Sequence, residues 1–211
     1  MEQQLKTGTT TIAMVCKDGI VLAADRRATA GSFIIDKNIT KIHEISDNMV
    51  LTMAGSVSDV QLLVKFIKAE LRLKKVRSRR DMTVKETANL LAGMVYSNIR
   101  RFSVIPGISQ FLLGGKDSEG MHVFDIFPDG SITEVSDYVS SGSGSVMAYG
   151  VLETLYNKNI GVDEGIKIAA KSLNAAIQRD SASGSGFDIV TVTPKGIKRV
   201  VGKQIEKKVE L

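Results

Sequence analysis

Apolar and polar positions alternate in short runs along this chain, separated by turn residues, and in four places the alternation gives way to helical spacing. Thr9 to Val15 reads as a first strand. Thr11, Ala13 and Val15 fall on one side of an extended chain, and Thr10, Ile12 and Met14 on the other, so both faces are suited to packing. Lys17-Asp18-Gly19 carries the Asp-Gly signature of a tight hairpin, and Ile20 to Ala24 is the return strand, ending at Asp25-Arg26-Arg27. Ala28 to Ser32 is a loop of small residues, followed by a short extended piece at Phe33 to Ile35. From Lys37 to Ile45 the pattern alternates again, with Ile39, Lys41, His43 and Ile45 on one face. Asn48 to Ala54 is a further strand, closed by Gly55.

Val57, Val60, Leu63, Val64, Ile67 and Leu71 then recur at helical spacing, with Ser56 and Asp59 placed as a capping-box-like start. A second helix begins after Thr83, which has Glu86 three residues on, and carries the stripe Val84, Ala88, Leu91, Val95 and Ile99. Pro106-Gly107 breaks the chain. Strands follow at 110–115, 121–127 and 131–135, then a Ser/Gly loop at 140–145. Helices are predicted over 146–157 and 162–179, a second Ser/Gly loop over 180–186, strands over 187–192 and 197–201, and a charged tail from Lys203 to Leu211. Strands and helix pairs are segregated and no βαβ alternation occurs, so the class is α+β. Two antiparallel sheets face to face, with a helix pair outside each, would bury every stripe: a four-layer αββα sandwich. No linker or repeat divides it.

Composition changes this picture little. Of 211 residues, 43% are hydrophobic and 24% charged, with a net charge of +5. The basic excess is local: Lys68, Arg72, Lys74, Lys75, Arg77, Arg79 and Arg80 crowd one helix end. No aromatic residue interleaves with them, so bases have no stacking platform, and a nucleic-acid partner is not expected. One cysteine, Cys16, allows no disulfide within the chain. With only His43 and His122, a metal site or a histidine triad has little material, and no cofactor is expected. No run is long and apolar enough to span a bilayer and no secretory signal is present, so no membrane partner and a cytoplasmic location are expected.

The candidate chemistry lies in Lys6-Thr7-Gly8-Thr9-Thr10-Thr11. Three threonines at a strand start are unremarkable by themselves. Cleavage between Gly8 and Thr9 would change that, because Thr9 would then carry its hydroxyl and a free α-amine on one residue. A threonine hydroxyl needs an adjacent base near neutral pH, and an α-amine with a pKa of about 7.7–8.0 is suited to the task. Hairpin register brings Asp25 back beside the start of the first strand. Lys41, on a face shared with two isoleucines, is either exposed or directed into a site. Met1 to Gly8 reads as a short removable leader ahead of a single domain over 9–211.

Thr-Gly-Thr-Thr-Thr-Ile-Ala, Ala-Asp-Arg-Arg, Lys41, Ala54-Gly55, Gly-Ser-Gly-Ser at 142–145 and Arg-Asp-Ser-Ala-Ser-Gly at 179–184 occur in that order. Together they resemble the β subunits of the archaeal 20S proteasome, across nearly the whole chain. The resemblance implies an N-terminal nucleophile hydrolase fold and a threonine endopeptidase that removes its own leader at Gly8–Thr9. Thr9 would be the nucleophile, with Asp25 and Lys41 completing the core of the site. Gly55 would supply the oxyanion-binding N–H, and Ser143, Asp180 and Ser183 would support the threonine. Ala28, Ile39, Met53 and Val57 would line the primary substrate pocket, with His43 near it, and Thr29 and Gly55 would bind the substrate main chain. Such a pocket favours chymotrypsin-like cleavage after large apolar residues. Implied partners are a β homoheptamer, two such rings stacked between rings of α subunits, an ATPase unfoldase and unfolded polypeptide substrates. Subunit contacts are expected on the helix pair of residues 56–102, with Met94 and Phe102 as surplus apolar positions. Other readings are an amidohydrolase of small molecules, a β subunit that assembles without maturing, and a nucleic-acid-binding protein.

Overall fold

The computed structural model describes residues 8–204; the expected leader up to Thr7 and the chain beyond Gln204 lie outside the described residues. The chain begins with the hairpin β1 (Thr11–Cys16) and β2 (Gly19–Asp25), in the register Thr11 opposite Ala24 and Cys16 opposite Gly19. A two-stranded ribbon, β3 (Ala28–Ala30) and β4 (Phe33–Asp36), is followed by β5 (Ile42–Ser46) and β6 (Met49–Gly55). Helices α1 (Val57–Ser78) and α2 (Val84–Arg100) come next, then strands β7 (Ser109–Lys116), β8 (Met121–Ile126), β9 (Ile132–Val135) and β10 (Tyr138–Ser141). Helices α3 (Ser145–Leu155) and α4 (Val162–Arg179) precede a last hairpin, β11 (Gly186–Thr193) and β12 (Gly196–Gln204).

Two five-stranded sheets result, in the orders β10-β1-β2-β11-β12 and β5-β6-β7-β8-β9. Strand alternation sorts their side chains into three apolar layers. Ala13, Leu22 and Val190 of the first sheet meet Val50, Leu112 and Val123 of the second between the sheets. Ile12, Met14, Ala23 and Ile189 point the other way, onto α3 and α4. Leu51, Phe111 and Leu113 point onto the stripe Val60, Leu63, Val64 and Ile67 of α1 and Ala88, Leu91 and Val95 of α2. The αββα sandwich expected from the pattern is therefore the architecture, with β1 packed on both faces.

The structure departs from the sequence reading where hydroxyl-rich chain meets a sheet edge. Ser140 and Ser141, read as loop, form the end of β10 and pair with Ile12 and Thr11. The Ser140 hydroxyl also donates to the Thr11 carbonyl at 2.9 Å. Small hydroxyl side chains have no strong strand signal, so the pairing comes from β1 rather than from local preference. The segment 28–36, read mostly as loop, is the β3–β4 ribbon. The strand read over 37–45 is shorter, since β5 begins at Ile42 and leaves Lys41 outside the ladder. Of the two surplus apolar positions, Met94 packs half-buried against the α1–α2 core, whereas Phe102 stands fully exposed.

The two helix starts also differ. Thr83 accepts from the Glu86 backbone N–H while the Glu86 carboxylate accepts from the Thr83 N–H, a complete capping box. Ser56 makes no such bond at the start of α1 and pairs with Ser58 instead, because Asp59 does not complete the box. Replacing Thr83 by Ala should therefore lower unfolding free energy by about 1 kcal/mol. Ser56→Ala should change it by less than about 0.5 kcal/mol. Urea titrations of the two variants give the comparison.

Candidate active site

The site forms at the end of the sandwich where β1 starts, β2 ends and β6 runs into α1. β2 delivers Asp25 there because Thr11 lies opposite Ala24, one residue earlier. Each Asp25 oxygen takes two donors. Oδ1 accepts from the Thr10 backbone N–H at 2.9 Å and from the Lys41 ammonium at 2.6 Å. Oδ2 accepts from the N–H groups of Arg27 and Gly184, both at 2.9 Å. A fully buried carboxylate with four donors is a charge held in place by fixed dipoles as well as by its counter-ion. Lys41 is 3% exposed. Burial pushes its ammonium below the ordinary lysine range, and the neighbouring Asp25 carboxylate opposes that loss.

On the other side of Thr9, the two Ser/Gly segments meet. Ser143 precedes α3 and Asp180 caps the end of α4, so the two helices present their ends to one point. The Ser143 and Ser183 hydroxyls both donate to Asp180 Oδ2 at 2.6 Å. Ser143 Oγ accepts from the Thr9 N–H at 3.2 Å. With its own proton on Asp180, Ser183 Oγ accepts from the Thr10 hydroxyl at 2.7 Å. A hydrogen-bonded chain therefore runs from the Thr9 nitrogen through Ser143, Asp180 and Ser183 to Thr10. Gly142 sits at φ +92 directly against the Thr9 carbonyl, where a Cβ would collide with it.

Thr9 itself is buried, and its hydroxyl donates to the Gly8 carbonyl at 2.6 Å. A small cleft opens beside it, between Lys41 and Gly55. Ala28, Ile39, Met53 and Val57 line this cleft, as does Arg27. Gly55 has φ +120, a conformation suited to glycine, and a side chain there would strike the Ile108 carbonyl. Thr29 does not line the cleft and accepts from the Gly8 N–H through its Oγ1 at 3.4 Å. His43 is half-buried, does not line the cleft, and its Nε2 has no partner among the described residues. Burial, with Lys68 nearby, holds its imidazole below the usual range.

Thr9, Asp25, Lys41, Gly55, Ser143, Asp180 and Ser183 thus converge, together with four of the residues read as pocket wall. Thr10 and Arg27 were not singled out by the sequence reading. Hairpin register could have found Thr10, since it is the residue opposite Asp25. Arg27 bears no signal beyond its place in Asp-Arg-Arg.

The family model described as Proteasome subunit matches residues 5–192. The chain belongs to this proteasome subunit family. It is 42% identical to a protein named Proteasome subunit beta from Archaeoglobus fulgidus, over 98% of this chain and 95% of that one. A protein of the same name from Ferroglobus placidus is 44% identical over 94% of this chain and 93% of its own. One from Methanohalophilus mahii is 43% identical over 96% and 95%. No helix among the described residues is long and apolar enough to cross a membrane.

In this proteasome subunit the two members of the buried ion pair are unequal. Without Lys41, Asp25 keeps three backbone donors. Without Asp25, Lys41 and three N–H groups lose their partner together. Asp25→Ala should therefore cost about 3–5 kcal/mol of stability, and Lys41→Ala clearly less. Chemical denaturation of the two variants, measured side by side, tests the asymmetry.

Proposed function

We propose that this chain is a catalytic β subunit of a 20S proteasome core and an N-terminal threonine endopeptidase that frees its own nucleophile by cutting Gly8–Thr9. The observation that carries this reading is the position of Thr9. Its hydroxyl lies against the Gly8 carbonyl, with the Asp25–Lys41 pair on one side and the Ser143–Asp180–Ser183 relay on the other. The names of the relatives support the β-subunit part of this assignment.

While Gly8 is attached, the Thr9 nitrogen is an amide and has no lone pair to accept a proton. Release begins when Thr9 Oγ1 attacks the Gly8 carbonyl carbon. The C–N bond then breaks, the hydroxyl proton passes to the Thr9 nitrogen, and the leader is left as an ester on Oγ1. Water hydrolyses that ester, giving a leader that ends in the Gly8 carboxylate and a chain that begins with a free amine. A Cβ at residue 8 would run into the Ala182 side chain, so glycine allows the scissile peptide to lie this deep.

In the mature chain the amine takes the Oγ1 proton as Oγ1 attacks a substrate carbonyl, and returns it to the leaving amine. The Lys41 ammonium lowers the cost of negative charge at Oγ1, and Asp25 keeps that ammonium charged in a buried site. The Gly55 N–H is the candidate donor for the tetrahedral oxyanion. Ser143 and Asp180 orient the amine. An extended peptide would bind along the cleft through main-chain bonds to Thr29 and Gly55. Ala28, Ile39, Met53 and Val57 offer an apolar wall for the side chain before the cut, which fits chymotrypsin-like preference. Partner α rings, a second β ring and an ATPase that feeds unfolded polypeptide complete this cytoplasmic machine.

Intact mass of the chain assembled with α subunits tests self-processing. The parent should begin at Thr9, and Thr9→Ala should retain residues 1–8; a trimmed Thr9→Ala chain in homogeneous particles would overturn it. A peptide panel should show at least tenfold higher kcat/KM after leucine or phenylalanine than after arginine, the effect of roughly 1.4 kcal/mol. The pH profile should be bell-shaped. Its acid limb follows deprotonation of the Thr9 amine, at about 7.7–8.0 if unperturbed. Its alkaline limb follows loss of the Lys41 proton and falls below the ordinary lysine range, because burial lowers that group. Lys41→Arg should move the alkaline limb upward or abolish activity.

A further inference from the structure

Lys41 lies on an irregular stretch between β4 and β5, outside any strand ladder. What holds this stretch is a second charge cluster, one layer behind the site. Asp188 of β11 is 2% exposed and points between the sheets beside Ala24. The Arg26 guanidinium grips it with both arms, Nε to Oδ2 at 3.0 Å and Nη2 to Oδ1 at 2.6 Å. Arg199 of β12 joins them, Nη1 to Oδ1 at 2.9 Å. Both arginines then reach into the Lys41 segment. Arg26 Nη1 donates to Asn38 Oδ1 at 3.0 Å, and the Arg26 carbonyl accepts from the Ile39 N–H at 3.0 Å. Arg199 Nη2 donates to the Ile42 carbonyl at 3.4 Å. Lys41 is thus bracketed by side-chain anchors at 38 and 42 that run through the two arginines to one carboxylate and by the main-chain bond at 39, and its own carbonyl takes the Met53 N–H.

From this we infer that Arg26 and Asp188 are positioning residues, whose fork-to-carboxylate contact sets the distance between Lys41 and Asp25. Arg26 follows Asp25 directly, so the same contact fixes both ends of the ion pair. The other charged groups facing Lys41 are Asp180 and Arg27, and neither touches the 38–42 stretch. A lysine at position 26 would keep the charge but present one point in place of a planar fork, and could not hold Asp188 and Asn38 together. The inference rests on the peptidase reading for its kinetic consequence, though not for its structural one.

The sharp variant is Arg26→Lys. In the Thr9→Ala chain, which needs no activity, Lys41 should react several-fold faster with an amine-selective acylating reagent, scored by peptide mapping. Cys16, buried under α4 and probed in parallel with a thiol-selective alkylating reagent, reports general opening and should label at an unchanged rate. In the Thr9 chain, kcat should fall roughly ten-fold, as a slightly misplaced catalytic group would cause, with KM within about twofold. Asp188→Asn should act in the same direction. Unchanged Lys41 labelling, or Cys16 labelling that rises in step, would overturn the inference even if Asp188→Asn fails to fold. Lack of peptidase activity in the parent would count against the proposed function alone, because the labelling comparison still decides this one.

Discussion

The site is organised around one ammonium, that of Lys41, held almost wholly out of water. Desolvation alone would drive Lys41 toward its neutral form. Asp25 opposes this, and the cost of burying Asp25 is met by four donors, three of them backbone N–H groups. Those three come from the start of β1, the turn after β2 and the loop before β11. The fold therefore has to bring three separate segments together before the pair can exist, which ties the pair to completion of the sheet that holds β1, β2 and β11.

The layered fold was legible because its signals are redundant. Stripes such as Leu63, Val64 and Ile67, or Ala88, Leu91 and Val95, can be buried only against a sheet, and two sheets were available. Asp25 could be placed beside the first strand because hairpin register is a counting problem. The Ser/Gly segments were harder. Ser140 and Ser141 join β10 through pairing with β1, and nothing local announces it. Ser143, Asp180 and Ser183 could be assigned only by resemblance, since a loop's sequence does not say which other loop it meets. His43 was placed near the cleft by the same resemblance, yet the structure holds it within β5 and off the lining.

The helices serve the site differently from the sheets. α3 and α4 bury their stripes on Ile12, Met14 and Ile189, and in doing so bring the N-terminus of one and the C-terminus of the other to Thr9. Packing on one face of β1 thereby positions Ser143 and Asp180. The opposite face of β1 contributes only to the inter-sheet core. Cys16, at the far end of the same strand, shows the contrast in environment: burial with Asp18 nearby pushes its thiol up to about 12. One strand thus carries an inert sulfur at one end and a polar network at the other.

Strand alternation has a last consequence at Thr9-Thr10-Thr11. Adjacent residues of an extended chain point opposite ways. The Thr9 hydroxyl faces the Gly8 carbonyl, whereas the Thr10 hydroxyl is committed to Ser183 and Thr11 is buried in the first rung of the ladder. A chain beginning one residue late would start with an amine and a hydroxyl of the same chemical kind, but the hydroxyl would be locked away from the cleft. Parity sets Thr10 apart and the ladder with Ala24 sets Thr11 apart, so of three chemically identical side chains only that of Thr9 lines the cleft.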